Sequence, residues 1–303
     1  MSDKEFSIPI LFLIFNRPET TDLVFQRIRE LQPRYLFVSA DGPRIQKENE
    51  IERCNAARKI IEKVDWVCEV KTHYSDVNLG CKVGVSSGID WFFDQVEEGI
   101  ILEDDCLPDR TFFQFCSGML EHYRHNDRVM HIGGTNFQDG KIRGTGSYYF
   151  SSIPHIWGWA TWRRAWKNYD VSISSFPALL KNSEFERLFT DERIRKYWLK
   201  NFDLVHSKRK DTWDIQWVYA VSINQGLSII PNINLVSNIG FEEGATHTFN
   251  KSDPLANRSA ESLNSIVHPS AVVPDRQADA YTFKKYLSPN KISKLWRLLR
   301  RHA

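Results

Sequence analysis

Short apolar runs alternate with amphipathic segments through the first half of the chain. Five runs predict strands, at residues 9–15, 35–40, 66–73, 100–102 and 129–134. Most of them lack polar interruptions, which is typical of strands buried on both faces. The intervening segments predict helices, at about 20–31, 48–63, 85–96 and 110–125. This alternation indicates βαβ units around a mostly parallel sheet.

The most unusual polar pattern follows the fourth apolar run. Residues 100–102 lead directly into three acids, Glu103, Asp104 and Asp105. Ionised groups at the rim of a core are costly unless a positive charge pairs with them, and one divalent cation can neutralise two carboxylates while binding ligand oxygens. Because ligands of open α/β sheets bind beyond the carboxyl ends of strands, one interpretation is a site for a cation and its ligand. The alternative is a solvated acidic turn.

Aromatic residues dominate the second half of the chain. They concentrate at 148–150 and, among small residues, at 155–162. Trp159, Trp162 and Trp166 recur at helical spacing, which favours core tryptophans and a helix over 162–169. Three further elements are predicted: helices over 183–200 and 213–221, and a strand over 227–231.

Length and composition limit the class of protein. The 303 residues suffice for one large α/β domain or two smaller ones, and 42% hydrophobic with 26% charged residues is typical of a globular chain. The net charge of +2 is too balanced to predict nucleic-acid binding. Five cysteines without CxxC spacing indicate reduced thiols. Since no run resembles a signal peptide or a membrane span, we expect a cytoplasmic protein.

Polar residues follow several of the predicted strands. Because parallel strands end at one edge of the sheet, these residues are expected to converge there. The candidates are Asn16, Arg17 and Glu19, then Asp41, then the segment from His73 to Lys82, and finally the three acids. A Walker A loop and a Gly-x-Gly-x-x-Gly fingerprint are both absent from the sequence, which disfavours an ATPase and a nicotinamide enzyme.

Together these segments resemble the nucleotide-diphospho-sugar glycosyltransferases of the GT-A fold, especially the N-acetylglucosaminyltransferase I type and its bacterial relatives. The matching pieces are Phe15-Asn16-Arg17-Pro18, Ser39-Ala40-Asp41-Gly42, Ile101-Leu102-Glu103-Asp104-Asp105 with Pro108-Asp109 and Phe112-Phe113, Trp157-Gly158-Trp159, and Trp213-Asp214 with Trp217. The matching pieces lie within residues 9–250 and follow one another in the same order as in the family. It implies a GT-A (Rossmann-like) α/β fold, with a mixed, mostly parallel sheet flanked by helices in a single globular unit.

The resemblance also implies how the chain is divided. Residues 1–250 would form the glycosyltransferase domain, with a nucleotide-binding half at about 9–140 and an acceptor half at about 145–250. Residues 251–303 would form a C-terminal extension. Its last part, 291–302, has a basic amphipathic pattern. Such a helix would lie on the inner face of an anionic membrane or, alternatively, dock on the protein's own core.

By this resemblance, Asp105 binds Mn²⁺ or Mg²⁺, Asp104 contacts the ribose and Glu103 supports them. Oxygen ligands suit these cations. A cation there would offset the negative charge that grows on the phosphate oxygens as the nucleoside diphosphate leaves. His247 is a second candidate metal ligand, and a solvated loop histidine is the alternative.

The remaining nucleotide-sugar contacts implied by the resemblance are Asn16, Arg17, Asp41, His73, Lys82, Trp157 and Gly158. Arg17 would meet base, ribose or phosphate, and Asp41 would accept from a uracil N–H. The alternatives are a surface salt bridge for Arg17, a plain Asp-Gly turn for Asp41 and a solvated lysine at a helix start for Lys82.

Asp214 is the candidate general base. Inversion at an anomeric carbon needs a carboxylate on the face opposite the leaving group; the alternative is an acid that stabilises a helix N-terminus. The predicted function is inverting, metal-dependent transfer of a sugar from a UDP-sugar, with UDP-GlcNAc as one candidate. The acceptor would be a glycan or lipid-linked glycan in bacterial surface polysaccharide synthesis.

Two other functions compete with this prediction. A sugar-1-phosphate nucleotidyltransferase uses a similar sheet and metal carboxylates, but it usually has a Gly-rich basic loop after its first strand, where this chain has Asn-Arg-Pro-Glu. A non-catalytic carbohydrate-binding protein would use the tryptophans alone.

Overall fold

A mixed sheet of eight strands forms the centre of the computed structural model, which describes residues 5–181, 183–241 and 258–287. The strands in chain order are β1 (Ile10–Ile14), β2 (Tyr35–Ala40), β3 (Glu69–Tyr74), β4 (Glu98–Glu103), β5 (Cys106–Pro108), β6 (Val129–Gly133), β7 (Tyr148–Ser151), β8 (Trp159–Trp162), β9 (Leu227–Pro231) and β10 (Val236–Asn238). Strands β5 and β10 pair with each other in a separate two-stranded sheet.

The helices follow the strands as crossovers and as an added helical layer. They are α1 (Pro18–Leu31), α2 (Glu50–Lys59), α3 (Gly80–Phe93), α4 (Arg110–His122), α5 (Arg163–Trp166), α6 (Phe176–Lys181), α7 (Glu184–Leu188), α8 (Glu192–His206), α9 (Asp214–Ile223) and α10 (Arg276–Thr282). A 3₁₀ turn at Ile60–Lys63 extends α2, and a π-helical turn at Phe283–Leu287 extends α10.

The strand order of the large sheet is β3-β2-β1-β4-β8-β6-β9-β7. The first four strands are parallel, and β6 and β9 are parallel to each other. Strand β8 is antiparallel to both β4 and β6, and β7 is antiparallel to β9. The predicted mixed, mostly parallel α/β sheet in one unit is thus confirmed.

The central strands are buried on both faces, as their apolar runs predict. In β1, Ile10 and Phe12 belong to the core that contains α1 and α4. Leu11 and Leu13 belong to a second core, built with α3 and α9 on the other face. Because side chains alternate along a strand, an uninterrupted apolar run supplies both cores at once.

The predicted helix over 162–169 is largely wrong. Trp159 and Trp162 lie on strand β8, and the helix that follows, α5, ends at Trp166. The core assignment is nevertheless confirmed, since the three tryptophans are at most 3% exposed. The prediction failed because strand β8 continues directly into helix α5. The tryptophans are spaced as in one helix, although two of them belong to the strand and one to the helix.

Residues 258–287 pack onto the sheet at its β7 edge. Asp275 donates its backbone N–H to the carbonyl of Phe150, at 2.8 Å. The same segment joins a group that we call the Asp139 cluster, which consists of Asp139, Arg258, Tyr281, Lys285 and Tyr286. In it the Asp139 carboxylate accepts from the other four side chains. The described part of the predicted C-terminal extension therefore packs against the main body.

Candidate functional site

The three acids, which we call the acidic turn (Glu103, Asp104 and Asp105), lie at the carboxyl end of β4 in the middle of the sheet. Strand β4 is held between β1 and β8, with Glu103 in register with Leu13 of β1. The chain turns through the two aspartates directly into β5. Glu103 therefore ends a buried strand and the two aspartates lie beyond it, where ligands of α/β sheets bind.

Arg17 is the cation that faces the acidic turn. It lies between β1 and α1, where Pro18 starts the helix and Thr21 donates its N–H to the Arg17 carbonyl at 2.9 Å. Its Nη1 donates to Asp105 Oδ2 at 2.8 Å, and its Nη2 donates to Asp104 Oδ1. Burial alone would lower the pKa of Arg17, but the two carboxylates outweigh it and raise that pKa.

One guanidinium does not balance three carboxylates. Burial, followed by the charges of Asp105 and Asp104, raises the pKa of Glu103 to about 8. Burial also raises the pKa of Asp104, although Arg17 opposes this and the N–H of Phe15 donates to its Oδ2 at 3.1 Å. The surplus negative charge makes this edge of the sheet a favourable place for a further cation.

The chemistry of these donors fits a hard divalent cation in part. Carboxylate oxygens suit Mn²⁺ and Mg²⁺, which are commonly bound through one or two carboxylates plus substrate phosphates. The Asp105 side chain is 14% exposed, and among the described residues its Oδ1 accepts from the Cys106 thiol alone, at 3.5 Å. Among the described residues, no group of three or more His, Cys, Asp or Glu is arranged to hold a metal. Asp105 could thus contribute one ligand, with phosphate and water oxygens completing the shell.

A cavity of about 230 Å³ opens beside the acidic turn. Its walls come from the ends of β1 and β2, the first turns of α3, the acidic turn and the loop before α9. The polar side chains lining it include Arg17, Asp41, Arg44, Glu103 and Asp211. The predicted convergence of strand-end residues therefore does occur for the segments after β1, β2 and β4, and also for the segment after β3, through Asn78, Gly80 and Cys81.

Asp41 lines the cavity, but its carboxylate is already hydrogen-bonded by the chain. Its Oδ1 accepts from the N–H groups of Gly42 and Leu79, both at 2.8 Å. Its Oδ2 accepts from Asn78 Nδ2 and Gly80 N–H, both at 3.0 Å. Asp41 thus satisfies free N–H groups at the start of α3. A contact with uracil stays a prediction. In this structure the Asp41 carboxylate accepts hydrogen bonds from the chain itself.

Asn16 and Arg44 share a buried partner. Asn16 Nδ2 donates to Glu50 Oε1 at 2.8 Å, and Arg44 donates to the same carboxylate through its backbone and its guanidinium. Glu50 is only 4% exposed. Sequence reasoning missed Arg44, although it follows Asp41-Gly42-Pro43 at a strand end and the rule that selected Asp41 applies to it equally.

Asp214 lies at the first position of α9 and is half-buried, with Thr212 Oγ1 donating to its Oδ1. Asp211, three residues earlier, lines the cavity. The sequence did not predict this role, because the family resemblance includes Trp213-Asp214 and not Asp211. Burial, followed by the charges of Glu103, Asp214 and Asp211, raises the pKa of Cys81 to about 12. Cys81, Glu103, Asp104 and Asp211 all line the cavity, whereas Asp214 is not among its lining residues and lies near enough to affect Cys81 and Glu103 by its charge.

Trp157 and Gly158 pack against β10 and the residues that follow it. Trp157 is half-buried and meets Phe241 edge-on, with ring centroids 5.8 Å apart. Gly158 has a φ of +64°, and a Cβ there would lie 2.7 Å from Val236. Both the backbone conformation and the packing thus require glycine. Contact of either residue with a donor sugar stays a prediction.

The other predicted contacts fall elsewhere. His73 is exposed on edge strand β3 and stacks on Trp91 at 5.2 Å. Lys82 is in the first turn of α3, and neither residue is among the side chains that line the cavity. Both assignments stay predictions. His247 and the basic stretch at 291–302 lie outside the described residues.

No protein-family profile matches the chain, and no curated protein sequence matches it either. Solved structures do show partial similarity. For 4-diphosphocytidyl-2C-methyl-D-erythritol synthase from Anaerococcus prevotii DSM 20548, the identity is 10% and the TM-score 0.34, over 59% of this chain and 84% of that one. For HddC from Yersinia pseudotuberculosis the values are 9% and 0.33, over 54% and 80%.

A UDP-glucose pyrophosphorylase complexed with UDP-glucose is also similar, at 12% identity and a TM-score of 0.29, over 72% of this chain and 97% of that one. Likenesses this weak do not decide an activity for this chain. The site must therefore be interpreted from its own residues. In the part of the chain that the structure describes, no helix is both long and apolar enough to cross a membrane.

Proposed function

We propose that the protein is an inverting, metal-dependent glycosyltransferase that uses a nucleotide-diphosphate sugar, of which a UDP-sugar is the first to test. The observation that supports this most is the meeting of two groups of acids across one cavity. The acidic turn lies on one side with Arg17, Asp211 lines the cavity from the loop before α9, and Asp214 follows at the first position of that helix. Sugar transfer needs both groups.

Each side of the cavity would have its own task. Asp105 would hold the cation, Mn²⁺ or Mg²⁺, which when bound offsets the charge that develops on the leaving diphosphate. Arg17 would bind phosphate oxygens, for which a guanidinium is geometrically suited. Asp214 would take the proton of the acceptor hydroxyl, from the face opposite the leaving group. Thr212, which donates to Asp214 Oδ1, would orient that carboxylate.

The acceptor in this proposal is a hydroxyl of a glycan or lipid-linked glycan. The basic amphipathic pattern of 291–302 would suit a cytoplasmic enzyme that meets a lipid-linked acceptor at the membrane surface. Vesicle sedimentation of the full chain, with anionic and with neutral lipids, tests this: we expect binding to the anionic vesicles only.

The base assignment is tested by comparing two neighbouring acids. We expect Asp214→Asn to lower the rate of transfer about 10²–10⁴-fold, because a general base contributes that much. Asp211→Asn is the matched control, since it removes a carboxylate of the same cavity and should cost far less. A large loss in Asp211→Asn with little loss in Asp214→Asn would show that the base is Asp211.

A second candidate is a sugar-1-phosphate nucleotidyltransferase, because an acidic turn at a strand end would hold a nucleoside triphosphate and its cation equally well. Two reactions separate the candidates. A panel of UDP-, GDP- and CDP-sugars with Mn²⁺ should release nucleoside diphosphate if the protein is a glycosyltransferase. A nucleoside triphosphate with a sugar-1-phosphate should release pyrophosphate if it is a nucleotidyltransferase.

The carbohydrate-binding alternative would use the tryptophans alone. Trp159, Trp162, Trp166, Trp213 and Trp217 are all at most 3% exposed, and side chains buried in the core cannot stack on a sugar ring. Trp157 is half-buried, so it is the residue of the Trp157-Gly158-Trp159 segment on which this alternative would depend.

A further inference from the structure

The contact between Arg17 and the acidic turn joins two carboxylates with one side chain. Nη1 donates to Asp105 Oδ2 at 2.8 Å, and Nη2 donates to Asp104 Oδ1. The two acids differ in what else they bind. Asp104 is 1% exposed and also accepts from the N–H of Phe15. Asp105 is more exposed, and Arg17 is its one charged partner among the described residues.

The structure is built to accept this pair. The backbone N–H of Ile239 donates to the Asp105 carbonyl at 2.8 Å, which places the next residue, Gly240, directly against the pair. A Cβ at Gly240 would lie 2.2 Å from Asp105 Oδ2 and 2.8 Å from Arg17 Nη1. Any other residue at this position would therefore displace Arg17 or Asp105.

The guanidinium thus holds one of the two Asp105 carboxylate oxygens, and its positive charge lies where a divalent cation would approach that carboxylate. Resting on the proposed function, we infer that Arg17 is a built-in competitor of the metal at Asp105, and that the cation binds well only together with a nucleoside diphosphate. The phosphate oxygens of that ligand then take the guanidinium from Asp105, and the cation takes the carboxylate.

Two physical arguments support this exchange. A ligand that needs a minor state binds with an apparent affinity reduced by the fraction of molecules in that state, so pairing with Arg17 weakens the binding of a free cation. Arg17 pairs with phosphate as readily as with carboxylate, so its transfer to the diphosphate leaves no charge unpaired. Because coupling between two ligands is reciprocal, the diphosphate must strengthen cation binding as much as the cation strengthens diphosphate binding.

The test measures Mn²⁺ alone, by the electron paramagnetic resonance signal of the free ion, and then UDP in the presence of Mn²⁺, by calorimetry. Arg17→Met is expected to bind free Mn²⁺ about tenfold more tightly than the wild type, because Asp105 is released, and to bind UDP about tenfold more weakly, because the phosphate contact is lost. A merely structural arginine would not give these opposite changes.

Arg44→Met is the matched control. Arg44 lines the same cavity and pairs with a buried acid, but that acid is Glu50, so its loss does not release Asp105. Its Mn²⁺ affinity should stay close to that of the wild type. The double variant Arg17→Met, Asp105→Asn should lose the gain seen in Arg17→Met, because the released carboxylate is no longer present.

Folding is followed by thermal unfolding in each variant. If Arg17→Met does not fold, Arg17→Lys replaces it, since lysine keeps the charge but cannot span both carboxylates as a planar fork, and its affinity for free Mn²⁺ should still rise. Unchanged or weaker Mn²⁺ binding in the folded variant overturns the inference. A wild type that binds no nucleoside diphosphate with Mn²⁺ contradicts the proposed function instead, while the comparison with Mn²⁺ alone still decides the role of Arg17.

Discussion

Carboxylates and cations meet in two places in the molecule, but the ratio of acidic to basic groups is opposite in the two. In the acidic turn, three carboxylates share the single guanidinium of Arg17. In the Asp139 cluster, one carboxylate accepts from Lys285, from Arg258 and from the hydroxyls of Tyr281 and Tyr286. Counting the described residues, negative groups outnumber positive ones in the first place, whereas in the second, one carboxylate pairs with two cations.

The pKa values follow this difference. Burial and the neighbouring aspartates raise the pKa of Glu103 to about 8. Burial alone would also raise the pKa of Asp139, but hydrogen bonds from Lys285 and Tyr281 hold it well below its usual range. A carboxylate whose partners lie within the chain stabilises the fold, whereas acids left short of positive charge indicate a site that needs a ligand.

The largest expected effect is on catalysis at the acidic turn. Asp105→Asn should lower the rate of sugar transfer about 10²–10³-fold, since it removes the group proposed to hold the charge-stabilising cation. Donor turnover and thermal unfolding are measured on the same preparation. Asp139→Asn is the control and should transfer at close to the wild-type rate; equal losses in both variants would remove the contrast between the two regions.

The next effect is on stability at the same turn, in the opposite direction. Glu103→Gln should raise the free energy of unfolding of the metal-free protein by on the order of 2 kcal/mol at pH 7, because Glu103 is ionised in the unfolded chain and its raised pKa requires it to take up a proton on folding, whereas glutamine needs none. Urea unfolding with EDTA measures this. A variant less stable than the wild type would mean that the Glu103 carboxylate is well compensated.

A smaller loss of stability is expected in the other region. Asp139→Asn should lower the free energy of unfolding by about 1–2 kcal/mol, since charge-assisted hydrogen bonds become neutral ones. Asparagine tolerates the positive φ of 52° at this position, so backbone strain does not contribute to the change in the free energy of unfolding. The measurement is again urea unfolding, and an unchanged midpoint would show that solvent screens the cluster.

The smallest effect is on the pH dependence of that stability. Because the pKa of Asp139 is lower in the folded state than in the unfolded chain, its contribution is present above the unfolded pKa of about 4 and is lost as the pH falls below it. Asp139→Asn should therefore flatten the acid side of the stability curve. Parallel curves for variant and wild type would contradict this.

The sequence predicted those parts of the fold that local pattern determines. Strands β2 and β9 begin and end where their apolar runs predict. The acids beyond β4 are likewise at the predicted edge. In these cases each residue's neighbours along the chain contain the whole signal.

Contacts between distant residues were not predictable in this way. Arg17 and Asp105 are 88 positions apart, and no periodicity connects them. Helix α3 begins at Gly80, five residues before the predicted start, because the Asp41 carboxylate beyond β2 accepts from its first N–H groups. Asp211 faces the cavity only because its loop folds towards α3, where a Cβ on Gly80 would lie 3.0 Å from Asp211 Oδ2.

The central claim, that the acidic turn binds a nucleoside diphosphate with the help of a cation, is tested most directly by titrating UDP calorimetrically into wild type and Asp105→Asn, each with Mn²⁺ and with EDTA. Mn²⁺ should strengthen UDP binding about tenfold or more in the wild type and leave it unchanged in Asp105→Asn. UDP binding that is equally strong with EDTA, or equally Mn²⁺-dependent in Asp105→Asn, would contradict the account.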